Sequence, residues 1–530
     1  MSTDQATDQS ATEELTSYDE VPYSSYPYSQ THPYRLAVMG GLFGLNTTPV
    51  HRCRVLELGS ASGGNIIPAA AVLPESEFIG IDLSSVQIND GKRMVEALGL
   101  TNIELKHLSI TDVNESMGQF DYIVCHGVFS WVPEEVRKKI LDICAQQLTP
   151  QGVAYISYNC YPGWHMRGTV RDMMLFHSLK YDKPQEKVGH ARALLDFLVK
   201  SVPEDSGPYG ALLKKEMELM RNQADHYVLH EHLEAVNQPM YFYQFASQAD
   251  EAGLQFLAEA ELAAMSLQGL TADVRNIVKQ LSKSLVECEQ YIDFIRNRTF
   301  RRTLVCRKDA ALDRRGMNQR VRTFHLNSPA VLEGTIELKD KSEAKFKLAG
   351  GTLSTQVPVI KAALLALSER WPQTMPFEDL LDVSLRRMGH DPRSVAAQRE
   401  RMAEFLAENM VQCFAQRAVN FFPVLLSLPV RAAERPRGFR VARVQAEKEG
   451  RVTSLLHELV NLNEFDRQML RMADGRRTRR EIADQLVRDV REGKLQPSQP
   501  INDPGQLQTT LEKTMNDSLN RLARVALLEA

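Results

Sequence analysis

The sequence predicts an α/β fold in its N-terminal half, followed by two smaller and mainly helical units. Between residues 54 and 157, short apolar runs typical of buried strands alternate with longer helical patterns. This alternation favours crossover connections and a parallel sheet with helices on both faces. Beyond residue 307 the strand signals thin out and helical patterns dominate. A chain of 530 residues is also too long for a single hydrophobic core, so several domains are expected.

Strand signals occur in order at 54–58, 77–82, 103–108, 122–125 and 153–157, with helical patterns at 86–98 and 133–148. Two later strand signals, at 254–257 and 302–306, are assigned to the same sheet. The helical stretch at about 166–234 is therefore interpreted as an insertion into one α/β domain spanning 18–307. Residues 1–17, rich in Ser, Thr, Gln, Asp and Glu, are expected to be a disordered tail.

The C-terminal half predicts two further units. Three helical patterns at 359–371, 377–387 and 394–409 precede a predicted hairpin at 411–426, which indicates a winged-helix-like middle domain over 325–430. A basic stretch at 431–451 with Pro436 and Gly438 is interpreted as a linker. Helical patterns at 462–472, 478–491 and 506–522 then predict a helical or winged-helix-like domain over 450–530.

The composition excludes several classes of protein. Hydrophobic residues make up 43% and charged residues 25%, as in ordinary globular proteins, and a net charge of -4 gives no reason to expect nucleic acid as a partner. The 7 cysteines are scattered without a CxxC pair, so neither a disulfide framework nor a structural metal site is expected. The polar, acidic N-terminus and the lack of a long apolar run predict a soluble, cytoplasmic protein without a membrane span.

A glycine-rich loop, Glu57-Leu58-Gly59-Ser60-Ala61-Ser62-Gly63-Gly64-Asn65, follows the first strand and opens a helix with Asn65 as its expected N-cap. Glycines allow the backbone to turn sharply and to approach a ligand closely. Asp82 ends the second strand 23 residues after Gly59, close to the spacing of about 20 for a ribose-binding acid in a Rossmann-like unit. Asp112 follows the third strand signal and is placed to meet an adenine amino group.

The loop differs from the dinucleotide and ATP fingerprints. Gly59-x-x-x-Gly63-Gly64 is not G-x-G-x-x-G, and the loop has no Walker lysine. The preceding Glu57 would repel a pyrophosphate, but it suits a ligand with an ammonium and a sulfonium. The sequence therefore favours S-adenosylmethionine (AdoMet) as the cofactor. The candidate cofactor-binding residues are Glu57, Gly59, Ser60, Gly63, Asp82, Leu83, Asp112, His126 and Gly127.

The loop with Asp82 and Asp112 resembles the class I AdoMet-dependent methyltransferases. The chain is also similar to one bacterial group of them in four segments: 18–23 with 30–33, 126–133, 157–168, and 230–231 with 237–242. That group carries a "methyltransferase regulatory domain", here at about 220–305, and includes the rickettsial-type protein lysine methyltransferases. The resemblance is specific from Tyr18 to about Arg307. It implies methylation of lysine side chains in a protein substrate, whereas the residues themselves indicate only AdoMet binding.

Aromatic residues follow the fourth and fifth strand signals, where an acceptor should enter: Phe129, Trp131, Tyr158, Tyr161 and Trp164. Aromatic faces can hold methylammonium groups, and an apolar site favours the neutral, nucleophilic amine of a lysine. Trp131, Tyr158 and Trp164 are the candidate catalytic or substrate-pocket residues, although core packing is the simpler interpretation of each alone. Tyr23, Tyr26 and Tyr28 are expected to fold over the site as a lid.

The segment with His226, His230, Glu231 and His232 is not HExxH, so a structural role is favoured, with His230 or Glu231 facing the substrate as the alternative. The arginines at 476–480 are expected on a solvated face. Asp19 and Glu20 are expected to be ordinary linker residues rather than anchors for a substrate lysine.

Three functions stay open on the residues alone. The first is a protein lysine methyltransferase whose C-terminal domains dock the substrate. The others are a small-molecule methyltransferase and a non-catalytic AdoMet-sensing regulator. A homo-oligomer is compatible with each of them.

Overall fold

The computed structural model of the protein describes residues 25–202, 204–391, 396–495 and 504–530. The predicted tail at 1–17, the motif at 18–23 and the residues Asp19, Glu20 and Tyr23 lie outside these ranges.

A seven-stranded sheet organises the N-terminal half, in the order β3-β2-β1-β4-β5-β7-β6. Its strands are β1 (Arg54–Leu58), β2 (Glu77–Asp82), β3 (Ile103–His107), β4 (Phe120–Cys125), β5 (Leu148–Asn159), β6 (Leu254–Glu259) and β7 (Phe300–Arg307). Strands β1 to β5 pair in parallel, as predicted. The expectation of a wholly parallel sheet is wrong, because β7 runs antiparallel to both β5 and β6. Phe300, the first residue of β7, pairs with Asn159 at the end of β5, so the chain must run back along β5.

Four helices flank the sheet, and all but the first were predicted from the sequence. They are α1 (Pro33–Leu42), α2 (Ile66–Val72), α3 (Ser85–Leu98) and α4 (Glu134–Gln147). Helix α3 begins where the Ser84 side chain accepts a hydrogen bond from the backbone N–H of Gln87, and it ends at the left-handed Gly99.

Alternate residues of the strands feed two hydrophobic cores. Leu56, Ile79 and Ile156 belong to one, whereas their neighbours Val55, Phe78 and Tyr155 belong to the other. The second core continues without interruption into side chains of the C-terminal half. The two halves of the chain are therefore packed together across one face of the sheet.

The predicted helical insertion is present and has its own core of Val170, Met174, Leu195, Leu213 and Val228 among other residues. It consists of α5 (Gly163–Ser178), α6 (Pro184–Ser201), α7 (Pro208–Arg221), α8 (Asp225–Val228) and a π-helical turn (Leu229–Leu233). The chain then returns to the sheet through α9 (Phe242–Glu251), α10 (Leu262–Met265), α11 (Ala272–Leu281) and α12 (Leu285–Arg296).

The middle unit is more β-rich than the sequence indicated. Its elements are α13 (Met317–Val321), β8 (His325–Asn327), β9 (Val331–Glu333), β10 (Ala344–Leu348), β11 (Gly351–Thr355), α14 (Pro358–Arg370), β12 (Met375–Pro376), α15 (Phe377–Arg387), α16 (Ala396–Ala415) and β13 (Asn420–Phe422). The predicted hairpin at 411–426 is wrong. Helix α16 extends to Ala415, and β13 pairs with β8, which lies far upstream in sequence. Local patterns cannot identify such a distant strand partner.

The C-terminal unit contains α17 (Arg440–Lys448), β14 (Arg451–Thr453), β15 (Leu459–Asn461), α18 (Glu464–Met472), α19 (Arg479–Arg491) and α20 (Pro504–Arg524). The predicted linker at 431–451 is wrong, because α17 occupies residues 440–448 of it and buries Val441, Ala442 and Ala446. Pro436 and Gly438 precede this helix rather than marking an extended connection. Helix α19 begins with a capping box between Thr478 and Glu481.

Candidate active site

A cavity of about 510 Å³ lies at the carboxyl ends of the parallel strands. This is where ligands bind in open α/β sheets. One wall is made by the glycine loop, the end of β2 and the turn after β3. A second wall is made by the loop after β4, the end of β5, the π-helical turn and the start of β7.

The glycine loop has a conformation that requires glycine at position 59. Gly59 has a φ of +74°, and a Cβ there would lie 2.4 Å from Cγ2 of Val128. The backbone N–H groups of Gly59 and Ser60 both donate to the carbonyl of Ile81 at 2.9 Å. The loop is therefore fixed to the end of β2, and any side chain at 59 would strain the backbone and push Val128 away.

Asp82 binds this loop to the next helix as well as lining the cavity. Its Oδ2 accepts from the Ala61 N–H at 2.8 Å, and its Oδ1 accepts from the Ser84 N–H at 2.9 Å. These two backbone donors hold the carboxylate in one orientation at the end of β2. The position is the one expected for an acid that accepts hydrogen bonds from ribose hydroxyls.

Glu57 is a buried carboxyl on β1 that faces the same wall. Its Oε1 accepts a 2.7 Å hydrogen bond from Nδ2 of Asn65. Burial raises the pKa of Glu57 to about 8, and the nearby Asp82 adds to this, while the Asn65 hydrogen bond opposes it. A buried acid of this kind is stabilised in its charged form by a cation. Asn65 makes no capping bond with its side chain, contrary to expectation, because its Oδ1, the atom that would cap the helix, accepts from the Tyr28 N–H instead.

Three buried polar atoms of this wall have no hydrogen-bond partner among the described residues: Oε2 of Glu57, Oγ of Ser60 and Oε1 of Gln87. Buried polar atoms are normally paired, so these three unpaired atoms indicate a polar ligand.

Apolar side chains complete this wall. Leu83 is 57% exposed and lines the cavity with Leu108 and Ile110, as an adenine ring requires. The residues present therefore fit AdoMet. Glu57 suits its ammonium, Asp82 its ribose and the apolar side chains its base. The sequence did not single out Gln87.

Asp112 does not take part in the lining. It is exposed at the end of a short 3-10 helix, Ile110–Asp112, and residues Ser109 and Ile110 line the cavity in its place. The structure therefore does not support an Asp112–adenine contact.

His126 and Gly127 reach the cavity as predicted. Nδ1 of His126 lies 2.9 Å from the Tyr155 hydroxyl. Burial, with a contribution from Arg302, lowers the pKa of His126 to about 3, so its imidazole is neutral. Gly127 has a φ of +68°, and its N–H donates to the Ser157 hydroxyl at 2.8 Å.

The segment before α1 covers the glycine loop. The Ser25 hydroxyl accepts from the Gly64 N–H at 2.8 Å, and a Cβ on Gly64 would lie 2.2 Å from the Ser25 carbonyl oxygen. Tyr28 lines the cavity with its ring centroid 3.7 Å from that of His126. Of the three tyrosines expected to cover the site, Tyr28 does so, whereas Tyr26 lies under the guanidinium of Arg451.

The three aromatic candidates occupy different environments. Trp131 lines the cavity and meets Trp164 edge to face, with centroids 6.3 Å apart. Trp164 is only 1% exposed and supports Trp131 from behind. Tyr158 is buried in the sheet core, stacked on Phe245 at 4.4 Å with its hydroxyl 3.1 Å from that of Thr303. Only Trp131 of the three is placed to touch an acceptor.

The second wall also carries His230 and Glu231 from the π-helical turn, together with Asn159 and Phe300. Glu231 has a side chain that is 22% exposed and pairs with Arg167 at 3.6 Å. Burial raises the pKa of Glu231, and Arg167 opposes this shift. Arg167 in turn lies over the Trp164 ring at 5.5 Å. A purely structural role, which the sequence favoured for this segment, therefore does not account for it, since His230 and Glu231 line the cavity.

All seven cysteines are free. Across the ranges that the structure describes, no three His, Cys, Asp or Glu side chains are grouped to hold a metal ion. In the same ranges, no helix is long and apolar enough to cross a membrane.

Three family models match the chain. One described as "Methyltransferase domain" matches 55–152, and one described as "Predicted methyltransferase regulatory domain" matches 224–307. The third, "PKMT, C-terminal winged helix domain", matches 434–527 and includes α17. The winged-helix prediction for the C-terminal unit is therefore confirmed.

Similar proteins cover the chain from end to end. RP789 from Rickettsia prowazekii is 36% identical over 96% of this chain and 93% of its own length. RP028 from the same organism is 43% identical over 46% of this chain and 96% of its own length. Among solved structures, PKMT2 from Rickettsia typhi, including its complex with AdoHcy, matches with a TM-score of 0.85 and 30% identity over 96% of this chain and 100% of its own.

Proposed function

The chain belongs to the family of Rickettsia typhi PKMT2 and is an AdoMet-dependent methyltransferase, and from this premise we propose that its acceptor is a lysine side chain of a protein substrate. Use of AdoMet and the class I methyltransferase fold, both predicted from the glycine loop and its acids, are confirmed.

The observation that carries the lysine proposal is an acidic and aromatic pocket in the same cavity as the cofactor wall. Trp131 and Glu231 line this pocket, in the cavity that the glycine loop and Asp82 also line. An indole face attracts ammonium and methylammonium groups, and a carboxylate beside it supplies the opposite charge. A long, flexible, cationic side chain is the acceptor that suits these two groups together.

Glu231 is placed to take the proton that the acceptor must lose. A lysine arrives as an ammonium, and only its neutral amine can attack a methyl carbon. AdoMet held by Glu57 and Asp82 would supply the methyl group from its sulfonium, with the thioether AdoHcy as the leaving group. The buried Glu231 carboxylate can accept the ammonium proton, because its raised pKa brings it closer to that of the amine. Arg167 and Trp164 hold it in position.

We propose that the C-terminal units help to dock the protein substrate. Their hydrophobic core is continuous with that of the sheet, so they keep a fixed position beside the cavity. A net charge of -4 favours a protein partner over nucleic acid.

The proposal is tested by incubating the purified chain with methyl-tritiated AdoMet and a cell lysate. Labelled protein bands are then hydrolysed to amino acids, and methyl-lysine is the expected product. Label confined to small molecules would overturn the lysine proposal and leave a metabolite methyltransferase.

The role of Glu231 is tested with Glu231→Gln, for which we expect kcat to fall by about 100-fold while AdoHcy affinity stays unchanged. In the parent protein the rate should fall as the pH is lowered through the raised pKa of Glu231, since the proton acceptor is then already protonated. Glu234→Gln is the matched control, because Glu234 belongs to the same turn but bonds His230 and does not line the cavity. Equal rates in the two variants would exclude Glu231 as the proton acceptor.

A further inference from the structure

His457 of the C-terminal unit reaches the cofactor wall of the N-terminal sheet. It lies in the turn between β14 and β15 and is only 3% exposed. Its Nε2 is 2.9 Å from Oδ1 of Asn65, a residue 392 positions away in sequence. Asn65 is the residue whose amide bonds Glu57. His457 of the winged helix therefore hydrogen-bonds Asn65, and Asn65 in turn hydrogen-bonds the Glu57 carboxyl of the cofactor wall.

The hydrogen bonds of the Asn65 side-chain amide fix its orientation. Its Nδ2 donates to Oε1 of Glu57 at 2.7 Å and to the Thr31 hydroxyl at 2.9 Å. The single proton of Thr31 is used on the Tyr28 carbonyl oxygen at 2.8 Å. Oδ1 of Asn65 therefore depends on two other donors, the Tyr28 N–H at 2.9 Å and His457. Without His457, one of these two donors to a buried oxygen is lost.

His457 is held for this contact by its own backbone. Its φ is +59°, in the left-handed region that non-glycine residues rarely adopt. Its N–H donates to the Ser454 carbonyl at 2.9 Å, which closes the turn. Burial lowers the pKa of His457 to about 3, so the ring is neutral and carries one proton. Nδ1 has no partner among the described residues, whereas Nε2 faces Asn65 Oδ1, so that proton belongs on Nε2.

We propose that His457 is a positioning residue for the AdoMet site: through Asn65 it orients the Glu57 carboxyl, and the C-terminal winged helix thereby contributes to cofactor affinity. This role is independent of the acceptor and would hold for any methyl acceptor. It also gives a reason for the contact between the winged helix and the α/β domain, where Arg440 donates to the carbonyl oxygen of Ala97 in α3 at 3.0 Å.

The test is calorimetric titration of the full-length variants with AdoHcy, with no acceptor present. His457→Gly keeps a backbone that accepts a φ of +59° but removes the donor, and we expect AdoHcy to bind about tenfold more weakly. His457→Gln places an amide donor near the position of Nε2 and should restore most of that loss. When AdoMet is varied in a turnover assay, His457→Gly should show a raised KM for AdoMet and, at saturating AdoMet, a kcat close to that of the parent.

The control is His325→Ala, which removes a histidine of β8 in the middle unit whose Nδ1, like that of His457, is buried without a hydrogen-bond partner among the described residues. We expect it to leave AdoHcy affinity within twofold of the parent, whatever it does to thermal stability. The proposal is overturned if His457→Gly binds AdoHcy as the parent does, or if His457→Gln binds no better than His457→Gly. Because AdoHcy binding decides the proposal and needs no acceptor, a failed lysine assay would not affect it.

Discussion

The two walls of the cavity are built in different ways. The cofactor wall comes from residues 57–65, 82–87 and 108–110, which are turns following three parallel strands, and backbone hydrogen bonds fix it. The acceptor wall combines distant segments at 131–136, 159, 230–231 and 300. Its side chains are held by other side chains, as Trp131 is by Trp164 and Glu231 by Arg167.

The two walls should therefore tolerate amino-acid substitutions differently. A wall made of strand ends and a glycine loop cannot vary without disturbing the sheet, because its geometry is that of the backbone. A wall made of side chains from an inserted segment can change its chemistry while the sheet is preserved. Substitutions should therefore separate cofactor affinity from acceptor turnover according to the wall they alter.

The largest effect is expected on the cofactor wall for Asp82→Ala. This change removes the acceptor for the Ala61 and Ser84 N–H groups as well as the ribose contact. We expect AdoHcy affinity to fall by at least about 100-fold, corresponding to about 3 kcal/mol, measured by calorimetry. Asp112→Ala is the matched control and should stay within twofold of the parent. A comparable loss for Asp112→Ala would restore the predicted adenine contact.

The sequence predicted the cofactor wall well, because that wall is local. A strand, a glycine loop and an acid at the next strand end follow one another within about 30 residues, so spacing alone indicates Gly59 and Asp82. Gln87 follows Asp82 closely in sequence and lies in the first turn of α3. Ser25 and His457 reach the wall only through packing between distant parts of the chain. No local pattern could assign them to it.

The acceptor wall was predicted less well for a similar reason. Trp131 and Trp164 have the same signal in sequence, a tryptophan in a loop after a strand, and only the fold decides which one is covered. Tyr158 is different, because the alternation along β5 places it on the face of Ile156, inside the sheet core. That period was available from the sequence and would have removed Tyr158 from the candidates.

An intermediate effect is expected on the acceptor wall for Trp131→Ala. We expect kcat/KM for the protein acceptor to fall by about 30-fold, since a large aromatic contact is lost, while AdoHcy affinity stays within about twofold. Tyr158→Phe serves as the control, because it removes only the hydroxyl facing Thr303 in the core and should leave turnover unchanged. If Trp131→Ala weakened AdoHcy binding as strongly as turnover, the two walls would not be separable.

The smallest effect, and one confined to the cofactor wall, is expected for the stability of Glu57→Gln without ligand. The folded-state pKa of Glu57 is raised to about 8 from its ordinary 4.5, so the folded protein retains a proton that the unfolded chain releases between these values. The stability of the parent should therefore decline as the pH rises from 4.5 to 8. Gln cannot titrate and still offers Asn65 an oxygen acceptor. The variant should thus match the parent near pH 4.5 and melt a few degrees higher at pH 8 and above, by scanning calorimetry.

Saturating AdoHcy should reverse the order of the two melting temperatures at high pH, since its ammonium stabilises the Glu57 carboxylate. If Glu57→Gln melted above the parent by the same amount at every pH, Glu57 would not be the titrating group. The cofactor wall would then not contain a carboxylate that is destabilised in the absence of ligand.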